Sequence, residues 1–84
     1  MAKTPIRAML ARWPSYRELA TDIHQLTRRP RTADIEALTD AARMWAHRDM
    51  IPARYWRRVV ASAQARGFSD VTLDRLAEIE ERRL

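Results

Sequence analysis

The sequence predicts an all-α fold, a small bundle of four to five helices. Three observations support this. The 84 residues include a single glycine, no stretch of strand length alternates between apolar and polar residues, and the apolar residues of each segment recur three and four positions apart. Since single domains usually contain ~100–200 residues, the whole chain, 1–84, is expected to form one domain around a thin core.

The first 14 residues predict an N-terminal arm or a short helix. Such a helix would begin at Pro5, because the first turn of a helix tolerates proline. It would run to about Arg12 and end at Trp13-Pro14, because a residue before proline disfavours helical geometry. A capping box follows at Ser15-Tyr16-Arg17-Glu18. The helix that it opens is expected to bury one stripe: Tyr16, Leu19, Ala20, Ile23 and Leu26.

The middle of the chain follows the break at Arg28-Arg29-Pro30-Arg31. Thr32 is predicted to cap the next helical segment, in which Trp45 shares a buried side with Ile35, Leu38 and Ala42. This segment could be one helix to Asp49 or two short helices broken near Thr39-Asp40, since both residues are good N-caps. The sequence leaves both alternatives open.

Two further helices are expected towards the C-terminus. One follows Met50-Ile51-Pro52 and runs from about Ala53 to Arg66, with Gly67 at the position of a left-handed cap. Trp45 and Trp56 are predicted to be the largest buried side chains, whereas Trp13 could contact a partner. Thr72 opens the last helix, 72–84, in which Leu73, Leu76 and Ile79 are expected inside and a Glu78–Arg82 pair outside.

The composition argues against an enzyme. The chain has no cysteine, so it has neither a thiolate nucleophile nor a zinc finger, which fits a reducing compartment. His24 and His47 lie on separate predicted helices without a serine or acid spaced to orient them. We therefore expect no catalytic residue, metal, cofactor or small-molecule substrate. The longest uncharged stretch, 59–65, is far shorter than the ~20 residues that span a membrane, so a cytoplasmic, nucleoid-associated protein is expected.

The charge is strongly positive and unevenly distributed. Sixteen basic residues, fifteen of them arginine, oppose eleven acids and leave a net charge of +5. An excess of arginine can reflect a GC-rich genome, but residues 1–31 carry seven basic and two acidic residues, and residues 53–68 carry four basic residues and no acid. This distribution predicts one basic face that attracts an anion.

The segment near 39–49 is the candidate for reading DNA. With Ala42 and Trp45 turned inward, its outward side would present four polar residues to the major groove: Thr39, Asp40, Arg43 and His47. Arg43 is the candidate for a bidentate contact to guanine. The arginines that flank the segment are expected to contact phosphates: Arg28, Arg29, Arg31, Arg48, Arg54 and Arg57. Periodicity alone fits an ordinary charged surface helix equally well.

Three parts of the chain resemble the Cro-like helix-turn-helix regulators of bacteria and phages, including carph-isopro domains. The first part is the run from Ala42 to Trp56, which contains Trp45 and Ile51-Pro52. The second is the tail from Gly67 to Leu76, which contains Val71-Thr72-Leu73. The third is the segment Tyr16–Ile23 with Leu19-Ala20, which is similar to the first motif helix of the family. The likeness covers most of residues 15–80.

The chain departs from that family in one place. The family joins its two motif helices by a tight turn of about four residues, whereas Ala20 and Ala42 lie 22 positions apart. Residues 27–39 therefore form either a long loop or a backward extension of the recognition helix.

The resemblance implies a sequence-specific DNA-binding transcriptional regulator, a repressor, with double-stranded DNA and a second copy of the chain as partners. The C-terminal helix, with Leu73, Leu76 and Leu84, is the expected dimer interface.

The alternative is a small phage or mobile-element protein that binds and inhibits a host protein through a bundle derived from the helix-turn-helix. A third reading is a structural adaptor in a larger assembly.

Overall fold

Five α-helices form the described part of the fold, and a 3-10 turn leads into the fourth. The computed structural model describes residues 5–27 and 34–83, and no residue in these two ranges lies in a strand. The helices are α1 (Pro5–Leu10), α2 (Tyr16–Gln25), α3 (Asp34–Arg48), α4 (Trp56–Ala65) and α5 (Leu73–Arg83), with the 3-10 turn at Ala53–Tyr55. The predicted all-α bundle of four to five helices is confirmed.

Short-range caps fix three of the helix ends as the sequence predicts. The Ser15 hydroxyl accepts a hydrogen bond from the Glu18 amide at 3.1 Å at the start of α2. The Thr72 hydroxyl does the same for the Arg75 amide at 3.0 Å at the start of α5. Gly67, with φ +85°, ends α4, and the Phe68 amide donates to the Ala63 carbonyl at 2.8 Å. The cap expected at Thr32 lies outside the described residues.

α3 is one continuous helix, which resolves the alternative that the sequence leaves open. Thr39 lies inside it and is not an N-cap, because its hydroxyl donates to the Ile35 carbonyl of the preceding turn at 2.7 Å. Residues 34–38 thus extend the predicted recognition helix backward. α3 ends at Arg48: the next residue, Asp49, has a left-handed φ of 57°, and the Met50 amide closes the turn on the Trp45 carbonyl at 3.0 Å.

α2 and α3 lie side by side and run antiparallel. Tyr16, at the start of α2, lies beside Arg43 in the second half of α3, with 6.0 Å between the guanidinium carbon and the ring centre. At the other end, His24 and Thr27 line a cleft of about 240 Å³ together with Asp34, the first residue of α3. α1 packs on α3, and α4 packs on both α2 and α5.

The core is formed by one stripe from each helix. Its largest fully buried side chains are those of Leu19, Ile23, Val59, Val71 and Leu76. Burying an aliphatic side chain of this size contributes about 1.5–3 kcal/mol relative to leaving it exposed. Trp45 is buried as predicted, but Trp56 is only half-buried.

Of the two alternatives for the N-terminal segment, residues 5–10 form the short helix, which packs on the core. Ile6, Met9, Leu10 and Trp13 are all buried. The sequence left Trp13 as a side chain that could contact a partner. In the structure its indole lies inside the domain, in edge-on contact with Phe68 at 5.1 Å between ring centres.

Two leucines expected in the core are exposed instead. Leu26 is 48% exposed because α2 ends at Gln25 and the side chain no longer follows the buried stripe. Leu73 is 42% exposed because it is the first residue of α5, ahead of the turn that buries Leu76 and Ile79. The predicted pair between Glu78 and Arg82 is present at 2.7 Å.

Candidate nucleic-acid interface

The outward side of α3 carries three of the four residues predicted to read bases. Ala42, Trp45 and Ala46 face the core, so helical geometry turns Asp40, Arg43 and His47 to the solvent, three and four positions apart. Thr39, the fourth, is half-buried, and its hydroxyl is already bonded within the helix. These three side chains present one carboxylate, one guanidinium and one imidazole, and the exposed Glu36 continues the same stripe one turn earlier.

Arg43 is exposed but held in place from two sides. Its Nη1 donates to Oδ1 of Asp40 at 2.9 Å, and its guanidinium lies 6.0 Å from the centre of the Tyr16 ring. The side chains of Arg43 and Asp40 are 60% and 76% exposed, so this ion pair contributes little to stability. Within the described part of the chain, Nε and Nη2 of Arg43 bond to no acceptor.

A second group of cations lies at the corner where α3 leads into α4. Arg48 is at the end of α3, Arg54 lies in the 3-10 turn, and Arg57 and Arg58, in the first turn of α4, lie three and four positions after Arg54. Such spacing places these three on one side of the helical segment. None of the four forms an ion pair with any residue in 5–27 or 34–83.

Tyr55 connects this corner to α3. Its ring lies 4.9 Å from that of Trp45, and the guanidinium of Arg54 lies 5.2 Å from the Tyr55 ring centre. Arg54 is thereby stacked beside the end of the helix that carries Arg43 and His47. The buried face of α3 thus fixes the position of the corner relative to the exposed stripe.

Sequence reasoning missed two cations of this surface. Arg58 directly follows Arg57 in the basic segment 53–68, and that adjacency is the signal that could have identified it. Arg17 shares a cleft of about 350 Å³ with Tyr16, Thr39 and Arg43, and no pattern in the sequence places it beside α3. Arg28, Arg29 and Arg31, which were predicted to bind phosphates, lie outside the described residues.

The charge along α3 divides into two halves. Asp34 and Glu36 lie in the first turn, whereas His47 and Arg48 lie in the last turn. The positive charge of α3 therefore lies in its second half, whereas Arg58 of the corner lines the same cleft as Asp34, at the first turn of α3. The surface formed by Asp40, Arg43, His47, Arg48, Arg54, Arg57 and Arg58 is called the α3 surface below.

A polar network connects Trp13 and α2 to α4, the helix that carries Arg57 and Arg58. The Trp13 indole N–H donates to the Ser62 hydroxyl at 2.9 Å, and that hydroxyl donates to Asp22 Oδ2 at 2.5 Å. Arg66 donates to the same carboxylate through Nε at 2.7 Å and Nη2 at 3.0 Å. Nη2 also reaches Glu18 at 3.0 Å.

This network perturbs the titration of both charged partners. The hydrogen bonds from Arg66, supported by the one from Ser62, hold the pKa of Asp22 below its ordinary value even though partial burial opposes the charged form. The carboxylates of Asp22 and Glu18 raise the pKa of Arg66 in turn. Asp22 is therefore ionised and fully engaged with its neighbours, which suits a structural role.

Two further features of the described residues bear on the kind of partner. No group of three or more acidic or histidine side chains in 5–27 and 34–83 is placed to hold a metal ion. No helix in the same ranges has the length and apolar character that crossing a bilayer requires.

Comparison of the chain with protein-family models, with curated proteins and with solved structures gave no match. The resemblance to Cro-like regulators therefore rests on the sequence motifs alone.

Proposed function

We propose that the protein is a sequence-specific DNA-binding regulator, a repressor, that contacts double-stranded DNA through the α3 surface. The observation that carries the proposal is the set of four arginines at the corner, Arg48, Arg54, Arg57 and Arg58, which have no carboxylate partner among the described residues. The corner is connected to α3 through Tyr55 and Trp45, and α3 also carries an exposed stripe whose side chains can hydrogen-bond to bases.

The lack of carboxylate partners at the corner contrasts with the ion pairs that most of the other described arginines form. Arg12 pairs with Asp70, Arg66 pairs with Asp22, and Arg75 and Arg82 both pair with Glu78. Arg7 and Arg17 also form no ion pair with the described residues, but they lie apart on α1 and α2, whereas the corner gathers four such guanidinium groups between residues 48 and 58. Phosphates would supply the missing partners, and each phosphate neutralised would release condensed counterions and favour binding at low salt.

The second half of α3 supplies the groups that would read sequence. The major groove of B-DNA is about 12 Å wide and admits an α-helix, and arginine recognises guanine there through a bidentate contact. Arg43 and His47 would face base edges, with Asp40 beside Arg43. Thr39 is left out of this set, because its hydroxyl is bonded to Ile35 and its side chain is half-buried.

We also propose that the protein acts as a homodimer, since operators of such regulators are usually two-fold repeats. Leu76, expected in the interface, is 2% exposed within its own chain and cannot contribute. Leu73 on α5 is exposed and available, and Leu84 lies outside the described residues. Light scattering at micromolar concentration, with and without DNA, should give twice the mass of the 84-residue chain. A monomer in both conditions contradicts the dimer.

Selection from random double-stranded DNA, followed by binding measurements across a salt series, tests the function. Replacing Arg43 by alanine should cost about 1–3 kcal/mol on the selected site and relax the preference at one base pair. Replacing Arg57 should weaken selected and random DNA alike and lower the salt slope by about one. Arg82→Ala is the matched control, because it removes the same charge from α5 at a distance from the α3 surface.

Three outcomes count against the proposal. Absence of DNA binding at low salt refutes it outright. Equal losses for the Arg43, Arg57 and Arg82 variants would mean that only net charge matters. Equal losses for Arg43 and Arg57 on selected and random DNA, with Arg82 unaffected, would mean that the basic surface is real but α3 reads no sequence.

A further inference from the structure

We infer that Asp40 and Tyr16 are positioning residues that hold Arg43 ready to bind guanine, so that the preferred DNA site contains a guanine at the base pair under Arg43. This inference rests on the proposed function. It assigns to Asp40 a role different from base contact, and it brings Tyr16, from another helix, into the determination of specificity.

The geometry around Arg43 restricts a side chain that is otherwise long and flexible. Asp40, one turn earlier on α3, binds Nη1 at 2.9 Å. The Tyr16 ring lies 6.0 Å from the guanidinium carbon, at the outer limit of a cation–π contact. Tyr16 is itself partly buried against the core, which fixes the ring that Arg43 leans on.

The unoccupied atoms of Arg43 have the pattern that guanine requires. A guanidinium group has five N–H donors, and Asp40 engages only Nη1. The edge formed by Nε and Nη2 stays free and offers two parallel donors. Guanine presents two acceptors, O6 and N7, in the major groove, whereas adenine presents one acceptor and one donor, so two donors favour guanine.

Restraining the Arg43 side chain in the free protein increases affinity, because the side chain then loses less rotamer freedom when it binds DNA. Immobilising one flexible side chain in an interface lowers affinity by about two- to tenfold. This is the gain expected from Asp40 and Tyr16 together, and it should appear only on sites that contain the guanine. On random DNA the carboxylate of Asp40 repels phosphates, so its removal should leave non-specific binding unchanged or slightly stronger.

The first experiment uses the free protein and does not depend on DNA. The ¹⁵N relaxation of the Arg43 Nε–H group should report a restrained side chain in the parent and a mobile one in Asp40→Ala, with Asp40→Asn in between because the amide oxygen still accepts. Glu78→Ala is the matched control, since Glu78 forms comparable exposed pairs on α5 with Arg75 and Arg82. Equal Arg43 mobility in the parent and in Asp40→Ala overturns the inference.

The second experiment measures preference at each base pair after selection. Asp40→Ala should reduce discrimination for guanine by about two- to tenfold at the same position that Arg43→Ala relaxes. Tyr16→Phe should keep the preference because the ring remains, and Tyr16→Leu should weaken it. The thermal midpoint of Asp40→Ala should stay within about 3 °C of the parent, because the pair is exposed.

The two experiments separate the inference from the proposed function. Undiminished guanine discrimination in Asp40→Ala overturns the inference even when the protein binds DNA specifically. Relaxed preference at a different base pair also overturns it, because Asp40 would then contact a base itself. If no sequence is enriched, the proposed function fails, while the relaxation measurement still decides whether Asp40 restrains Arg43.

Discussion

The Asp22 carboxylate offers the sharpest test of how the fold is held together. It accepts hydrogen bonds from Ser62 and, through two nitrogens, from Arg66, while its side chain is 20% exposed. Asp22→Asn keeps the size of the side chain but removes the charge. Hydrogen bonds to a charged group contribute about 1.5–3 kcal/mol, and Arg66 still reaches water and Glu18, so we expect a loss of about 2–3 kcal/mol.

This loss is large for so small a domain. Stability of roughly 0.05–0.15 kcal/mol per residue is usual, and 1 kcal/mol shifts the thermal midpoint of a domain of this size by about 4–8 °C. Asp22→Asn should therefore melt about 8–24 °C below the parent at neutral pH. Glu81→Gln, at an exposed position of α5, should change stability by less than about 0.5 kcal/mol.

The stability that Asp22 contributes depends on pH. Because Arg66 lowers the pKa of Asp22 in the folded state, the stabilisation is complete above the pKa of an unfolded aspartate, about 3.9. It disappears as the pH falls through the lower folded pKa. Urea titrations at neutral and acidic pH should show the difference between parent and Asp22→Asn closing below about pH 4. Equal stability at neutral pH, or a difference that persists undiminished in acid, would refute the role assigned to the network.

Two further predictions concern packing and caps. Trp45→Ala should cost about 3–5 kcal/mol in denaturant titrations because the side chain is 5% exposed, and Trp56→Ala should cost less because Trp56 is half-buried; the reverse order would contradict the packing. Asp49→Ala should cost about 1–2 kcal/mol, because alanine tolerates the φ of 57° poorly and the carboxylate also accepts the Ile6 amide at 2.8 Å. Asp49→Asn should cost less stability, since asparagine tolerates this backbone and keeps an acceptor for the Ile6 amide. Equal losses of stability for the two variants would show that neither this hydrogen bond nor the left-handed backbone matters.

The sequence predicts well those features that depend on residues close together in the chain, namely helix caps and the faces of helices. Ser15, Gly67 and Thr72 were identified as caps because a cap depends on residues within four positions, and periodicity placed Ala42 and Trp45 on the inner side of α3. Asp40, Arg43 and His47 were found on the opposite side for the same reason. These parts of the fold and of the candidate site needed no knowledge of tertiary contacts.

What the sequence could not predict depends on residues far apart in the chain. Trp13 meets Ser62 across 49 positions, and Arg66 meets Asp22 across 44, so neither pattern is visible locally. The contact between Tyr16 and Arg43 arises only because α2 and α3 run antiparallel. The continuity of α3 through Thr39 was open because threonine suits an N-cap and also tolerates a helix interior once its hydroxyl bonds to the preceding turn.

The buried hydrogen bond between Trp13 and Ser62 makes the N-terminal helix observable by itself. The three tryptophans give three indole N–H signals; those of Trp13 and Trp56 are bonded inside the protein, to the Ser62 hydroxyl and the Ile51 carbonyl at 2.9 and 2.7 Å. Solvent exchange of the Trp13 proton requires α1 to lift from the core, whereas exchange of the Trp56 proton requires opening between Ile51 and α4. The ratio of the two exchange rates therefore measures how often residues 5–13 detach while the rest of the bundle stays folded.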